Sequence, residues 1–157
     1  MSKSTPATLF LDKAKVAYAV AAYDYDPSAD RVGLQAAEAL GAPPSEVLKT
    51  LIVKVDGKPA CVVLACDREV AMKKLAAALG AKACEMAPPV DAERITGYRV
   101  GGVSPFGQRK RLPTVIDAPA AALPQAYVNG GQRGLQVRLA PADLVRLLEA
   151  VIAEIAA

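Results

Sequence analysis

The amino-acid sequence predicts an α+β domain in which a mixed, barrel-like β-sheet is flanked by helices. Short apolar runs of strand length recur between segments with helical spacing. Turn signals join neighbouring runs at Asp56-Gly57 and at Asn129-Gly130-Gly131. Such hairpins are typical of α+β domains and not of a regularly wound parallel sheet. The 157 residues contain no evident linker or internal repeat, so we expect a single domain spanning residues 1–157.

The first half of the chain alternates helices and strands. Ser4 or Thr5 can cap a helix that has Pro6 in its first turn, and Gly41 and Gly80 are suitable ends for two later helices. The two apolar strands on either side of Asp56-Gly57 should form a buried hairpin. The predicted elements are helices at 6–14, 34–40 and 70–79, strands at 16–25, 48–55 and 60–66, and a short turn at 43–45.

The second half contains shorter elements and a helix at the end. We predict a short helix at 91–94 and strands at 114–117, 126–129 and 135–139, separated by Pro119, Pro124 and the Asn129-Gly130-Gly131 turn. The last helix begins at Pro141 and carries a stripe of apolar residues that should face the core. These residues are Leu144, Leu147, Leu148, Val151, Ile152 and Ile155.

The sequence contains no histidine, which narrows the chemistry that is available. Catalytic systems that pair a serine or cysteine with histidine are excluded, as are the usual histidine-containing metal sites. An enzyme with this sequence would have to use lysine, carboxylates, tyrosine, backbone amides, a perturbed cysteine or a group on its substrate.

The three cysteines and the N-terminus bear on the cellular compartment. Cys61, Cys66 and Cys84 are scattered, so we interpret them as small hydrophobic residues and predict no disulfide, metal site or cofactor. Residues 1–8 do not resemble a signal peptide, and no apolar run is long enough to cross a bilayer. We therefore expect a cytoplasmic protein with no membrane partner.

A glycine-rich segment at 97–113 is the most informative loop. Gly101, Gly102 and Gly107 allow the backbone to approach a ligand closely, Pro105 stiffens the turn, and Phe106 offers an apolar or stacking surface. The loop matches neither a Walker sequence nor a dinucleotide fingerprint. It is either a ligand-facing loop or a tight structural connection.

Four cations lie in or near this loop, and they suggest contacts with phosphate. A net charge of +3 is too small for general nucleic-acid binding, so DNA is not an expected partner. A local RNA contact fits the clustering of the cations, although a solvated turn would have the same composition. These residues are Arg109, Lys110, Arg111 and Arg133.

Several sequence blocks together resemble the YbaK family of aminoacyl-tRNA deacylases. Residues 48–53 read Leu-Lys-Thr-Leu-Ile-Val, and residues 100–107 read Val-Gly-Gly-Val-Ser-Pro-Phe-Gly. Further blocks lie at 80–82, 96–98, 112–117 and 130–135, in the order found in the family. The resemblance covers nearly the whole chain.

The resemblance implies a fold, an activity and partners. The family is similar to the editing domain of bacterial prolyl-tRNA synthetases, and its best-known members hydrolyse mischarged Cys-tRNA(Pro), with Cys-tRNA(Cys) as a further candidate. In these members the thiol of the substrate cysteine is thought to attack its own ester and release a thiolactone. The expected partners are the aminoacyl-adenosine end of tRNA and prolyl-tRNA synthetase.

The resemblance also assigns site residues. Lys49 corresponds to the essential lysine of the family, and Gly101 to the backbone contact at the reacting carbonyl. The expected substrate-binding residues are Tyr23, Val32, Thr50, Gly102, Ser104, Pro105, Phe106, Asn129 and Gln136.

Three of these positions depart from the family pattern. Val32 stands where the best-known members have Phe, Asn129 where they have Ser, and Gln136 where they have Asp. A smaller residue could widen the pocket, and the missing carboxylate could change recognition of the substrate amino group. A deacylase for another small amino acid such as alanine, and a non-catalytic module that binds tRNA or a synthetase, remain alternatives.

Overall fold

Two β-sheets with helices packed around them form the observed architecture. The structure is a computed structural model that describes residues 4–26, 28 and 32–157, with residues 32 and 33 described by their backbone alone. The helices are α1 (Pro6–Lys13), α2 (Val32–Leu40), α3 (Met72–Leu79), α4 (Pro89–Thr96), α5 (Ala118–Ala121) and α6 (Pro141–Leu148). The strands are β1 (Ala19–Ala22), β2 (Leu48–Val55), β3 (Lys58–Ala65), β4 (Cys84–Met86), β5 (Thr114–Asp117), β6 (Ala126–Gln132), β7 (Leu135–Leu139) and β8 (Val151–Ala153).

The larger sheet has the strand order β4-β2-β3-β5-β8, and the smaller sheet has the order β1-β7-β6. In the larger sheet β2 pairs antiparallel with β3 and β4, whereas β3–β5 and β5–β8 are parallel. An isolated parallel bridge between Val47 and Tyr127 connects the two sheets. The predicted α+β class and mixed sheet are therefore confirmed. The described strands lie in two open sheets that are not closed into a barrel.

The local signals at several helix ends have the expected effect. Thr5 caps α1 by accepting the Thr8 N–H, and Thr8 Oγ1 in turn accepts the Thr5 N–H. Thr5 also donates to the Gly130 carbonyl, which ties this helix to β6. Gly80 adopts the left-handed conformation at the end of α3, as a glycine cap requires.

The prediction for the last helix is wrong beyond residue 148. Glu149 takes a left-handed conformation with φ 51° and ends α6, and the next residues form β8, where Val151 pairs with Val115. Leu144 and Ile155 are buried as expected, but Val151 and Ile152 are exposed. Helical spacing continues through this segment, but parallel pairing with β5 overrides the local preference for helix.

Smaller differences between the predicted and the observed elements occur where the sequence pattern is short. The first strand covers only Ala19–Ala22 of the predicted 16–25, and β4 and α5 were not predicted. The strands β2, β5 and β7 have the predicted bounds. Strand β3 is central, and its residues Val62, Val63 and Leu64 are fully buried. The two sheets and this central strand provide a rigid frame for the cavity described next.

Candidate active site

A cavity of about 360 Å³ lies beside the junction of the two sheets. Its walls come from β2, from the segment that leads into α4, from the glycine-rich loop, and from the facing strands β6 and β7. The lining residues are Val47, Leu48, Lys49, Thr50, Leu51, Ile52, Cys66, Glu69, Met86, Ala87, Pro89, Ala92, Val100, Gly101, Val103, Asn129 and Gln136. Most of this surface is apolar, so polar groups within it are few and specific.

An ion pair occupies one wall of the cavity. Lys49 Nζ lies 3.4 Å from Glu69 Oε1, and the lysine is largely buried while the glutamate is exposed. The main chain around Glu69 is held by residues 155–157, since the Ala157 N–H donates to the Glu69 carbonyl and the Ala71 N–H to the Ile155 carbonyl. An ammonium group is thus kept at the cavity wall beside its counter-charge.

The backbone at Gly101 is fixed from two sides. Gly101 has φ +90°, and a Cβ atom placed there would lie 3.0 Å from the Tyr25 hydroxyl and 3.3 Å from Arg133 Nε. Asn129 Nδ2 donates to the Gly101 carbonyl at 3.3 Å, and Arg133 Nε donates to the Val100 carbonyl at 2.9 Å. Since a side chain is both strained and crowded there, glycine suits this position.

Asn129 and Gln136 are paired across strands β6 and β7 and both line the cavity. Asn129 Oδ1 accepts the N–H groups of Gly131 and Gln132, so its side chain is held in place. Three buried polar atoms in this region have no hydrogen-bond partner among the described residues: Tyr23 Oη, Thr50 Oγ1 and Gln136 Oε1. Since buried polar groups are normally paired, these atoms mark a place where a polar ligand could bind.

Tyr23 lies near these groups but is not among the cavity-lining residues. Burial raises the pKa of its hydroxyl above the usual value, and the nearby Gln136 side chain opposes part of this rise. The hydroxyl therefore stays protonated at neutral pH and can act as a hydrogen-bond donor.

Part of the glycine-rich loop turns into the protein interior. Gly102, Ser104 and Pro105 are buried and do not line the cavity. Phe106 is fully buried and stacks on Phe10 with 5.7 Å between ring centroids, so it has no surface to offer a ligand. The expectation of a stacking role for Phe106 does not fit this placement. Of this loop, Val100, Gly101 and Val103 face the cavity.

The remaining predicted residues whose side chains are described do not line the cavity. The side chain of Val32 lies outside the described residues. Arg133 lies beside Gly101, with its guanidinium 5.3 Å from the Tyr25 ring centroid. Arg109, Lys110 and Arg111 are exposed and do not line the cavity, and Arg111 lies 3.5 Å from Glu149.

Several cavity residues were not predicted from the sequence. Glu69 is distant in sequence from Lys49 and becomes a neighbour only through the fold, so no local pattern marks it. Met86 and Ala92 belong to β4, which was not predicted, and to α4, whose role was not recognised. Cys66 was interpreted as a buried hydrophobic residue; it is buried, but it also borders the cavity.

These groups are suited to binding and polarising an ester more than to attacking it. The cavity holds an ammonium paired with the Glu69 carboxylate, a glycine backbone and neutral polar side chains. The ammonium, the backbone and the neutral side chains can position a carbonyl and stabilise negative charge on its oxygen. Within residues 4–26, 28 and 32–157, no three His, Cys, Asp or Glu side chains are grouped as metal ligands. In the same ranges no helix has the length and apolar character needed to cross a membrane.

Sequence comparison identifies the class of protein. Residues 26–147 match the model of the aminoacyl-tRNA editing domain, and the chain belongs to this family. The predicted family relationship is thereby confirmed.

Individual relatives give the same result. The chain is 35% identical over 156 residues to the "Putative Cys-tRNA(Pro)/Cys-tRNA(Cys) deacylase EbsC" of Enterococcus faecalis, a match that covers 98% of this chain and 93% of EbsC. Over 99 residues it is 31% identical to a proline–tRNA ligase of Geobacter metallireducens, but it spans only 17% of that ligase. A solved structure described as "a putative trans-editing enzyme for prolyl tRNA synthetase" has a TM-score of 0.81, 22% identity and 99% coverage of both chains, and supports the fold.

Proposed function

We propose that this protein is a free-standing deacylase that hydrolyses Cys-tRNA(Pro), with Cys-tRNA(Cys) as a second candidate substrate. The observation that carries the proposal is the cavity, which brings Lys49 and the backbone of Gly101 together with Thr50, Asn129 and Gln136. Family membership and the likeness to EbsC support a tRNA ester as the substrate class. A protein that only bound tRNA would not need such a lined cavity.

The proposed mechanism uses the thiol of the substrate. The cysteine sulfur attacks its own ester carbonyl, the C–S bond forms, the C–O bond to the ribose breaks, and the thiol proton passes to the ribose oxygen. The product is a thiolactone, which water then opens. The protein would hold the ribose or a phosphate with Lys49 and place the Gly101 backbone at the carbonyl.

The test is deacylation of Cys-tRNA(Pro), Ala-tRNA(Pro) and Cys-tRNA(Cys), with thiolactone followed as a product. We expect rapid loss of the cysteinyl ester and a decrease of at least about a hundredfold in kcat/KM for Lys49→Ala, in line with the loss of one stabilising donor. Lys54→Ala is the matched control, because Lys54 lies on the same strand, pairs with Asp91 and does not line the cavity. Equal activity of both variants would contradict the role of Lys49.

A second candidate is a deacylase for alanine, and Gln136 is the observation that favours it. A neutral amide in place of the carboxylate of the family could change the preferred amino acid, and a substrate without a thiol would need an activated water. Preferential loss of the alanyl ester, without thiolactone, would support this candidate. Gln136→Asp should then shift the ranking towards cysteine. An unchanged ranking would argue against a specificity role for Gln136.

The protein is further proposed to act in the cytoplasm and to obtain its choice of tRNA from prolyl-tRNA synthetase. The partial match to proline–tRNA ligases supports this association. The expected result is faster deacylation of tRNA(Pro) esters when the synthetase is added, measured at fixed deacylase concentration. If the protein binds tRNA but hydrolyses none of the esters, the alternative of a non-catalytic binding module would be favoured.

A further inference from the structure

The cavity contains one pair of opposite charges. Among the described residues that line it, Lys49 is the only cation and Glu69 the only carboxylate. Lys49 Nζ lies 3.4 Å from Glu69 Oε1. The side chains of Thr50, Asn129 and Gln136 add only neutral polar groups. A ligand that brings a positive charge into this cavity therefore finds its counter-charge, among these residues, at Glu69.

The backbone at Glu69 is held in place by a distant segment of the chain. The Ala157 N–H donates to the Glu69 carbonyl at 2.8 Å, and the Ala71 N–H donates to the Ile155 carbonyl at 2.7 Å. Arg68 Nη2 also donates to the Ala157 carbonyl, at 3.1 Å. These contacts fix the main chain on both sides of Glu69, which limits the positions that its exposed carboxylate can take.

An α-amino ester carries groups that complement this pair. Its ammonium lies beside the ester oxygens, one of which belongs to the alcohol, so a charged donor is next to acceptors. The ammonium of Lys49 likewise lies beside the carboxylate of Glu69. A carboxylate accepts several hydrogen bonds at once, so Glu69 can bind a second ammonium while it stays paired with Lys49. Such charge-assisted hydrogen bonds are stronger than those between neutral groups.

We propose that Glu69 binds the α-ammonium group of the aminoacyl ester and thereby selects substrates whose amino group is not blocked. The assignment rests on the proposed function, which places an aminoacyl ester in this cavity. Lys49 keeps its contact with the ribose or a phosphate, and Glu69 takes the ammonium. An N-acylated amino acid, such as that of a peptidyl-tRNA, has no positive charge for Glu69 and binds less well. Glu69 is thus a specificity-determining residue and takes no part in bond breaking.

The experiment measures binding of three analogues in which a stable amide replaces the ester, so that no turnover is needed. The first is 3′-deoxy-3′-(L-alanylamino)adenosine, the second is its propionyl counterpart, which lacks only the amino group, and the third carries N-acetylalanine. At pH 6, where an α-amino group is protonated, we expect the first to bind about three- to tenfold more tightly than the others in NMR titrations. Equal affinities would overturn the proposal.

Variants at Glu69 test whether this carboxylate recognises the charge. Glu69→Gln should bind the three analogues with nearly equal affinity, and Glu69→Asp should keep part of the preference for the first. Glu85→Gln is the matched control, because Glu85 is an exposed carboxylate next to the lining residue Met86 but does not line the cavity. This control should keep the wild-type preference.

The propionyl analogue checks the fold of the variants, since its affinity should not fall in Glu69→Gln. A preference for the ammonium that survives in Glu69→Gln would overturn the proposal. An equal loss of affinity for all three analogues would also overturn it, because Glu69 would then act only through the structure of the cavity.

The outcome is separable from that of the proposed function. Wild-type protein that prefers the cationic analogue but hydrolyses no aminoacyl-tRNA would support the role of Glu69 and contradict the deacylase assignment. Protein that hydrolyses Cys-tRNA(Pro) but binds the three analogues equally would support the deacylase assignment and overturn the role of Glu69.

Discussion

Individual residues at the cavity are placed by backbone geometry as much as by side-chain chemistry. Gly101 illustrates this, because its positive φ turns the chain at the cavity wall while Asn129 holds its carbonyl. The same Asn129 caps the turn after it through the N–H groups of Gly131 and Gln132. One amide thus connects the glycine-rich loop to β6, and the precision of the site depends on this connection.

Replacing Gly101 by alanine should lower the deacylase activity, whereas the loss of folding stability should be similar to that caused by a control substitution elsewhere. Both Gly101→Ala and the control Gly80→Ala place a side chain at positive φ, at a cost of about 1–2 kcal/mol. Only at Gly101 would the new Cβ press on Tyr25 and Arg133, since nothing lies within 4 Å at Gly80. We expect about a tenfold or larger loss of kcat/KM for Gly101→Ala alone, because misplaced reacting groups cost that much.

The measurements are urea unfolding and deacylation kinetics on both variants. If the two variants are similarly stable but only Gly101→Ala loses activity, the result would agree with a positioning role for Gly101. If the two variants lost activity in the same proportion, general destabilisation would explain the result.

At the scale of elements, the sequence predicted best where one local rule determines the outcome. The bounds of β2 follow from an apolar run that ends at the Asp56-Gly57 turn, and α3 ends at a glycine cap. The prediction of helix after Leu148 was wrong because the sequence there is compatible with both a helix and a strand. Pairing with β5, which is distant in sequence, determines that the segment forms a strand.

The candidate site likewise combines residues that can be predicted from the local sequence with residues that only the fold brings together. Lys49 and Gly101 were predicted because contiguous blocks resemble the family, and both line the cavity. Glu69 reaches Lys49 only through packing of residues 155–157 against residues 69–71. Phe106 was misjudged because an aromatic residue in a glycine-rich loop has the same sequence signature whether it faces a ligand or the core. Its position depends on the contact with Phe10 of α1.

The junction between α6 and β8 gives a prediction for stability. Glu149 holds φ 51°, a conformation that costs a non-glycine residue roughly 1 kcal/mol. Its pair with Arg111 is exposed on both sides and contributes little. Glycine removes this strain but makes the unfolded chain more flexible, at a cost of roughly 0.5–1 kcal/mol, so Glu149→Gly should raise the free energy of unfolding by up to about 0.5 kcal/mol.

Chemical denaturation of Glu149→Gly and of Arg111→Gln separates the two effects. The second variant removes the ion pair and keeps the backbone strain, so it should be nearly neutral. A loss of stability in both variants would show that the ion pair outweighs the strain.

At the scale of the whole molecule, charge is modest and locally grouped. Because the net charge is only +3, the proposed binding of tRNA would depend on local contacts with the exposed cations Arg109, Lys110, Arg111 and Arg133. If three of them contact tRNA phosphates, log affinity should fall against log salt with a slope of about −2, at roughly −0.7 per single-strand contact. Filter binding of tRNA(Pro) over a salt series measures this slope.

A triple variant with glutamine at 109, 110 and 133 gives the control. Its slope should approach zero while the fold, measured by circular dichroism, stays intact. If the tRNA affinity of the wild type does not change with salt concentration, these residues do not contact RNA phosphates.

Ionisation of buried groups should limit stability at high pH. Burial raises the pKa of the Cys61 thiol from its ordinary value near 9 to about 12. Above pH 9 the thiol ionises in the unfolded chain but keeps its proton in the folded one, so the unfolded state binds fewer protons and stability falls as pH rises. For this one group the loss between pH 8 and pH 10 is about 1.4 kcal/mol.

Tyrosines also begin to ionise in the unfolded chain as the pH approaches 10, among them Tyr18, whose pKa in the folded protein is raised to about 12 by its hydrogen bond to Asp12. The thiol of Cys61 is therefore separated from the tyrosines by a variant that lacks it. Urea unfolding at pH 8 and pH 10 gives the change, and Cys61→Ala provides the comparison. The variant is less stable overall, but its loss between the two pH values should be smaller than that of the wild type by about 1.4 kcal/mol. An identical loss in both proteins would mean that the thiol ionises in the folded state as readily as in the unfolded chain. The interior around β3 and β5 would then admit water, contrary to the complete burial of Val62 and Val115 beside it.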